Sequence, residues 1–155
     1  MYTQLISEIN AGDKIVVSAC LIGINCKYNG KNNANQNLID WLKDKKYVSI
    51  CPEILGGLST PRLPAEIANG VVINKDGECV HEEFIKGAKL ALERVISENP
   101  KLIILQSRSP SCGVKTIYDG KFQNQLIEGK GVFAKMLEKY GYPVMDISDF
   151  GNKEK

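Results

Sequence analysis

Hydrophobic and polar positions follow two rhythms along this chain. Short β-branched, apolar runs recur at KIVVSA (14–19), KYVSI (46–50), KLIIL (101–105) and PVMDI (143–147). Each has the length and the Val/Ile content of a strand. Between them, apolar residues return every three or four positions. QNLIDWLKD (36–44) spaces Leu38, Ile39, Trp41 and Leu42 as a helix would. Residues 82–98 hold the longest such pattern, with Phe84, Ile85, Ala88, Leu92, Val95 and Ile96 on one face. Asn99-Pro100 ends it, because proline disfavours helical backbone in the residue before it. Residues 130–140 read as another helix and residues 1–11 as a short one. KLIIL has no polar face, which marks a strand covered on both sides, as in a parallel sheet.

Three regions depart from these rhythms. CPEILGGLSTPRLPAEI (51–67) is so broken by Pro and Gly that it reads as a long loop. VVINKDGECV (71–80) reads as a hairpin turning near Asp76-Gly77. Residues 114–129 are irregular, with a strand pair expected around Asp119-Gly120. The tail GNKEK is expected to fray. Strands alternating with helices predict an α/β fold, a three-layer sandwich with a mostly parallel, Rossmann-like sheet. No repeat or linker divides the pattern, so residues 1–155 read as a single domain of ordinary size.

Composition narrows the function classes. With 43% hydrophobic residues a core forms without disulfide staples. A net charge of +2 gives no electrostatic argument for nucleic acid or membrane as partner. No apolar run approaches the roughly 20 residues that span a bilayer. MYTQLISEINAGDK lacks the basic-then-apolar pattern of a signal peptide, so the expected location is cytoplasmic.

Cysteine changes the picture more. There are five: Cys20, Cys26, Cys51, Cys79 and Cys112. An odd count without a secretion signal argues against a disulfide framework and for metal or catalytic use. Cys20 follows the first strand, Cys51 the second, and Cys112 lies in QSRSPSCG (106–113) after KLIIL. Loops at the carboxyl ends of parallel strands share one edge, where ligands bind. These three cysteines are therefore expected together, with Cys26 near them and Cys79 apart. Three thiolates in one pocket repel unless a cation neutralises them. Zinc and iron–sulfur clusters both accept thiolates. The chain has no CxxC pair and no Cys/His finger, which disfavours a sequence-local zinc fold and leaves a dispersed zinc site open. Three cysteines on a four-iron cubane leave one iron without a protein ligand, a Lewis acid suited to a soft sulfur atom. Two alternatives stand beside this: a zinc-holding binding module, and a cofactor-free thiol enzyme with Cys51 or Cys112 as nucleophile.

The blocks SACLIGINCKYNG, CPEILGGLSTPRLPAEI and SRSPSCG resemble the signature of the bacterial thiouracil desulfidase family, in that family's order and across nearly the whole chain. The resemblance implies a compact α/β enzyme carrying a [4Fe-4S] cluster. Its substrate would be a small thiolated nucleobase such as 2-thiouracil, its reaction a non-redox hydrolysis of the C–S bond, its products uracil and sulfide. It implies Cys20, Cys51 and Cys112 as cluster ligands, Cys26 as a neighbour of the cluster, and Glu53 and Ser109 as acid/base candidates. Ordinary readings exist for several of these residues. Glu53 could pair with Arg62, Ser109 and Ser111 could serve the turn, and Arg62 and Arg108 could brace loops or meet an anion. Glu66 has the same ambiguity. His81 falls at a helix start, where a surface or capping role fits better than catalysis.

Overall fold

The computed structural model describes residues 2–151, so the expected fraying of the tail concerns residues outside the described ones, apart from Gly151. The four apolar runs form one four-stranded parallel sheet from β1 (Lys14–Ser18), β2 (Lys46–Ile50), β5 (Leu102–Leu105) and β8 (Val144–Asp146). Their order is β2-β1-β5-β8. The register pairs Val16 with Val48 on one side and with Ile103 on the other, and Ile104 with Met145.

Successive residues of a strand face opposite sides, and here both sides are covered. Val16, Ile103, Leu105 and Val144 pack with α4 (His81–Glu98) and α5 (Val132–Lys139) through Ala88, Ala91, Val95, Phe133 and Leu137. Ile15, Val17, Leu102, Ile104 and Met145 pack on the other side with Leu38 and Leu42 of α2 (Gln36–Leu42), and with Leu5 and Ile6 of α1 (Tyr2–Glu8). This is the three-layer arrangement that the alternating pattern predicts. It also explains why β5 has no polar face: all four of its residues are buried.

Two expectations for the middle of the chain need correction. The stretch 51–67 is not wholly irregular. Pro52–Leu55 forms a short helix, α3, with Pro52 at its first position, and Ala65–Ala68 forms strand β3. Proline at a helix start has no N–H to lose and a backbone angle already set, so the residue that suggests a break here starts a helix. The hairpin is also displaced. β4 (Val71–Asn74) pairs antiparallel with β3 across Asn69-Gly70, both at positive φ, as a tight hairpin turn demands. The Asp76-Gly77 turn exists, but it returns the chain only as far as a single bridge between Ile73 and Cys79. The third expected pair is present as β6 (Thr116–Tyr118) and β7 (Leu126–Glu128), joined by a longer turn over 119–125.

α3 sits directly on α4. A Cβ at Gly87 would lie 1.8 Å from the Pro52 carbonyl oxygen, and one at Gly56 would lie 2.0 Å from the Glu83 carbonyl oxygen. Only two glycines allow this backbone-to-backbone contact.

Candidate active site

The strand order reverses between β1 and β5: the chain leaves β1 for β2 on one side and reaches β5 on the other. Such a reversal opens a crevice at the carboxyl ends of the two strands. Buried Ser18, the last residue of β1, bridges it, its Oγ accepting the Gln106 N–H at 2.9 Å. The candidate residues gather around this point.

Beyond Ser18, a 3-10 turn (Ala19–Ile22) places Cys20 in the core edge at 8% exposure, and Gly23 ends it at φ 97°. The chain then folds back. Asn33 donates its backbone N–H to the Cys20 carbonyl at 2.9 Å, and its Nδ2 lies 3.6 Å from the Cys20 sulfur. Cys26 is buried in the same loop. Cys51 follows β2 and precedes α3, and its sulfur lies 3.9 Å from the Cys26 carbonyl oxygen. Buried Cys112 arrives from the far side of the crevice in the loop after β5.

That loop, QSRSPSCG, is tightly held. Ser109 Oγ accepts the backbone N–H groups of Ser111 and Cys112, each at 3.0 Å. The start of α5 donates onto it, Val132 N–H to the Pro110 carbonyl and Phe133 N–H to the Ser111 carbonyl. Arg108 sits at φ 63°, the left-handed region that non-glycine residues seldom occupy. The serines, the proline and the arginine of this loop thus fold a turn whose end point is the Cys112 thiol.

Glu53, in the first turn of α3, faces the same centre. Its Oε1 accepts Arg62 Nε at 3.2 Å and Nη2 at 3.1 Å. Its Oε2 accepts the Ser111 hydroxyl at 3.1 Å and the Ser109 hydroxyl at 3.5 Å. Arg62 also donates to the carbonyls of Cys26 at 2.8 Å and Ser59 at 3.0 Å, and to the Thr60 hydroxyl at 3.1 Å. One guanidinium therefore ties the Cys26 loop to the carboxylate beside Cys51.

Cys20, Cys26, Cys51, Cys112, Glu53 and Ser109 line one cavity of about 550 Å³, within the usual range for small-molecule sites. Cys79 is exposed and does not line it. No disulfide joins the thiols. The Cys20 thiol beside Cys26, with burial adding to it, pushes the Cys26 pKa up to about 11. Cys26 and burial push Cys51 up, and burial chiefly pushes Cys112 up. Without a cation these groups stay neutral, so bound metal would displace their protons. Among the described residues, no three His, Cys, Asp or Glu side chains close around a point suited to one metal ion. The thiols line one shared cavity.

The structure thus brings together Cys20, Cys51, Cys112, Glu53 and Ser109 and leaves Cys79 outside, as sequence reasoning expects. His81 accepts the Val72 N–H at 3.2 Å, tying the hairpin to the start of α4. Sequence reasoning undervalues three features: the Ser111 hydroxyl on Glu53, the bridging role of Ser18, and the hold of Glu66 on the 119–125 turn. The last two pair residues 88 and 54 or more positions apart, and no local spacing signals them.

A parallel sheet with four free thiols and Glu53 lining one cavity at its switch point defines an α/β protein with a cysteine-lined pocket. Comparison with known proteins is more specific. The family model described as 2-thiouracil desulfurase matches residues 15–149, and the chain belongs to that family. The uncharacterized protein YbbK of Bacillus subtilis (strain 168) is 39% identical over 148 residues, covering 89% of this chain and 98% of the relative. The solved structure of a [4Fe-4S]-dependent thiouracil desulfidase, TudS, superposes with a TM-score of 0.84 at 36% identity, over 89% of this chain and 93% of that one.

Proposed function

We infer that this protein is an enzyme that desulfurates a thiolated pyrimidine such as 2-thiouracil by hydrolysis, releasing uracil and sulfide, with a [4Fe-4S] cluster held by Cys20, Cys51 and Cys112. The observation that carries the reading is the convergence of these three thiols, from the ends of three parallel strands, on one cavity that Glu53 also lines. The donor set fits such a group: the thiols are unpaired, and all three line one cavity. A cluster on three thiolates supplies an iron without a protein ligand, a Lewis acid for a thiocarbonyl sulfur.

The remaining work falls to the chain. Hydrolysis exchanges the sulfur for a water oxygen, so a proton must leave the attacking water and protons must reach the departing sulfide. Glu53 is the group we assign to hold that proton. Arg62 fixes its Oε1, which leaves Oε2 as the oxygen that exchanges protons, next to the hydroxyls of Ser109 and Ser111. Ser109 Oγ already accepts two amides, so its own proton is the one it can pass to Glu53. In this reading Ser109 relays the proton and fixes the loop that presents Cys112.

The whole chain would act as one desulfidase domain. Five unpaired thiols suit the reducing cytoplasm. Among the described residues no helix is long and apolar enough to cross a membrane. A cavity of this size and a net charge of +2 favour a small molecule over a nucleic acid.

The test is anaerobic reconstitution with iron and sulfide, followed by incubation with 2-thiouracil. Expected are about four irons per chain, as a [4Fe-4S] centre contains, the broad visible absorption of thiolate-to-iron charge transfer, and equimolar uracil and sulfide. Protein that binds no iron and releases no sulfide would overturn the reading.

A further inference from the structure

Two carboxylates line the cavity, Glu53 and Glu66. Both oxygens of Glu53 are engaged, one by Arg62 and one by serine hydroxyls. Glu66 is engaged through one oxygen. It stands on β3, and its Oε1 accepts the Gly120 N–H at 3.0 Å and the Phe122 N–H at 3.1 Å. Its Oε2 takes no hydrogen bond among the described residues and is not sealed from solvent.

The two amides belong to the 119–125 turn between β6 and β7. Gly120 has φ 87°, and a Cβ there would stand 2.5 Å from the Ile67 carbonyl oxygen, so the turn rests directly on the β3 hairpin. Phe122 and Asn124 hold left-handed backbone at φ 54° and 58°. Non-glycine residues keep such conformations only where neighbours over-determine them. Glu66 is one such neighbour, and the turn it holds brings Phe122 and Asn124 into the wall of the cavity that the thiols line.

A 2-thiouracil ring carries an N–H on each side of its C–S bond. With the sulfur directed toward the thiols, at least one N–H enters the cavity and loses its water. An N–H left unmatched there weakens binding by its desolvation. An ionised carboxylate oxygen accepts hydrogen bonds only, and strongly. We propose that Glu66 is a substrate-binding residue: its Oε1 clamps the 119–125 turn through Gly120 and Phe122, while its Oε2 accepts a ring N–H of the thiolated pyrimidine. This rests on the desulfuration reading above and names the group that recognises its substrate.

Glu66→Gln tests it. The amide keeps a carbonyl oxygen for the two backbone N–H groups and turns the other atom from acceptor to donor. With reconstituted enzyme, KM for 2-thiouracil rises roughly tenfold or more, the loss expected for a hydrogen bond to a charged group, while kcat stays within about twofold. On the 2-thiouracil isomer methylated at the recognised nitrogen, wild type weakens to the same extent and Glu66→Gln loses nothing further, as for two changes that remove one interaction. Amide hydrogen exchange at Gly120 and Phe122 stays slow in Glu66→Gln and becomes fast in Glu66→Ala. A turn loosened by Glu66→Gln would weaken every substrate alike, so the methylated isomers decide the matter in that case too.

Unchanged KM in Glu66→Gln, or losses that multiply with methylation at both nitrogens, each tested separately, would overturn the assignment. Calorimetry with uracil separates it from the reading beneath. Uracil binding that weakens in Glu66→Gln, in a protein that releases no sulfide, would sink the desulfuration and leave the assignment. Sulfide release with equal uracil binding in both would do the reverse.

Discussion

Gly87→Ala puts a number on the contact between α3 and α4. Gly87 lies inside α4, and alanine is the better helix former there by about 1 kcal/mol. Were the site open, the substitution would stabilise the protein. It is not open: the added Cβ would lie 1.8 Å from the Pro52 carbonyl oxygen and 2.9 Å from the Gly56 nitrogen. Ordinary non-bonded contact needs roughly 3.5 Å, so α3 must retreat on the order of 1.5 Å. Overpacking of this kind costs about 1–3 kcal/mol and sometimes more, which outweighs the helix gain and reverses the sign. The retreat also moves Cys51 and Glu53, which flank Pro52, and misplacement by about 1 Å can slow a reaction some hundredfold. Urea titration of the metal-free protein is expected to show a lower midpoint for Gly87→Ala. Anaerobic reconstitution is expected to yield less bound iron and a much lower rate of sulfide release. A raised midpoint with full iron content would refute the reasoning, because it would mean that α3 carries its residues without leaning on α4.

Other outcomes follow from the site. On the proposed reading, Cys20→Ala, Cys51→Ala and Cys112→Ala are each expected to lose most of the iron taken up on reconstitution and exposed Cys79→Ala to keep it, as a colorimetric iron assay would read. Arg62→Met breaks a pair whose side chains are only 9% and 16% exposed. It leaves the Glu53 carboxylate part-buried beside the thiols, and the urea midpoint should fall by the equivalent of about 3 kcal/mol. The metal-free protein should lose stability in alkali. A thiol held at about 11 in the fold and about 8.5 when unfolded favours the native state below the lower value, and that advantage disappears as pH rises through the upper one. Urea midpoints across that window should fall more steeply for wild type than for Cys26→Ala.

The sheet and its helices are legible in the sequence because burial writes itself into periodicity. KLIIL reads as a doubly covered strand and is one, and the 82–98 pattern becomes α4 almost residue for residue. The three thiols are legible for a different reason: each follows an apolar run, and parallel strands deliver their ends to one edge. Pro52 misleads, since the same ring that breaks a helix interior also begins a helix. The Asn69-Gly70 turn is overlooked because the neighbouring Asp76-Gly77 carries an equally strong signal, and only pairing between β3 and β4 decides which turn closes a hairpin. The pairing of Glu53 with Arg62, one of the ordinary readings of those residues, is present. The grip of Glu66 on Gly120 is tertiary, and nothing in the spacing of those residues distinguishes a clamp from a solvated charge.

The placement of the thiols on separate strands has a consequence for how the protein matures. Cys20, Cys51 and Cys112 meet only after β1 has paired with both β2 and β5. Parallel pairs need long crossovers, and contacts so distant in the chain form slowly. On the ribosome, Cys20 and Cys51 emerge well before the strand that leads to Cys112, so no ion can gather all three from a partial chain. Short zinc modules fold around their metal. This chain must complete its sheet first, so any group these three thiols take up together binds a folded scaffold. A group bound there would stabilise the native state by mass action, and its removal is expected to leave a folded apoprotein rather than an unfolded chain.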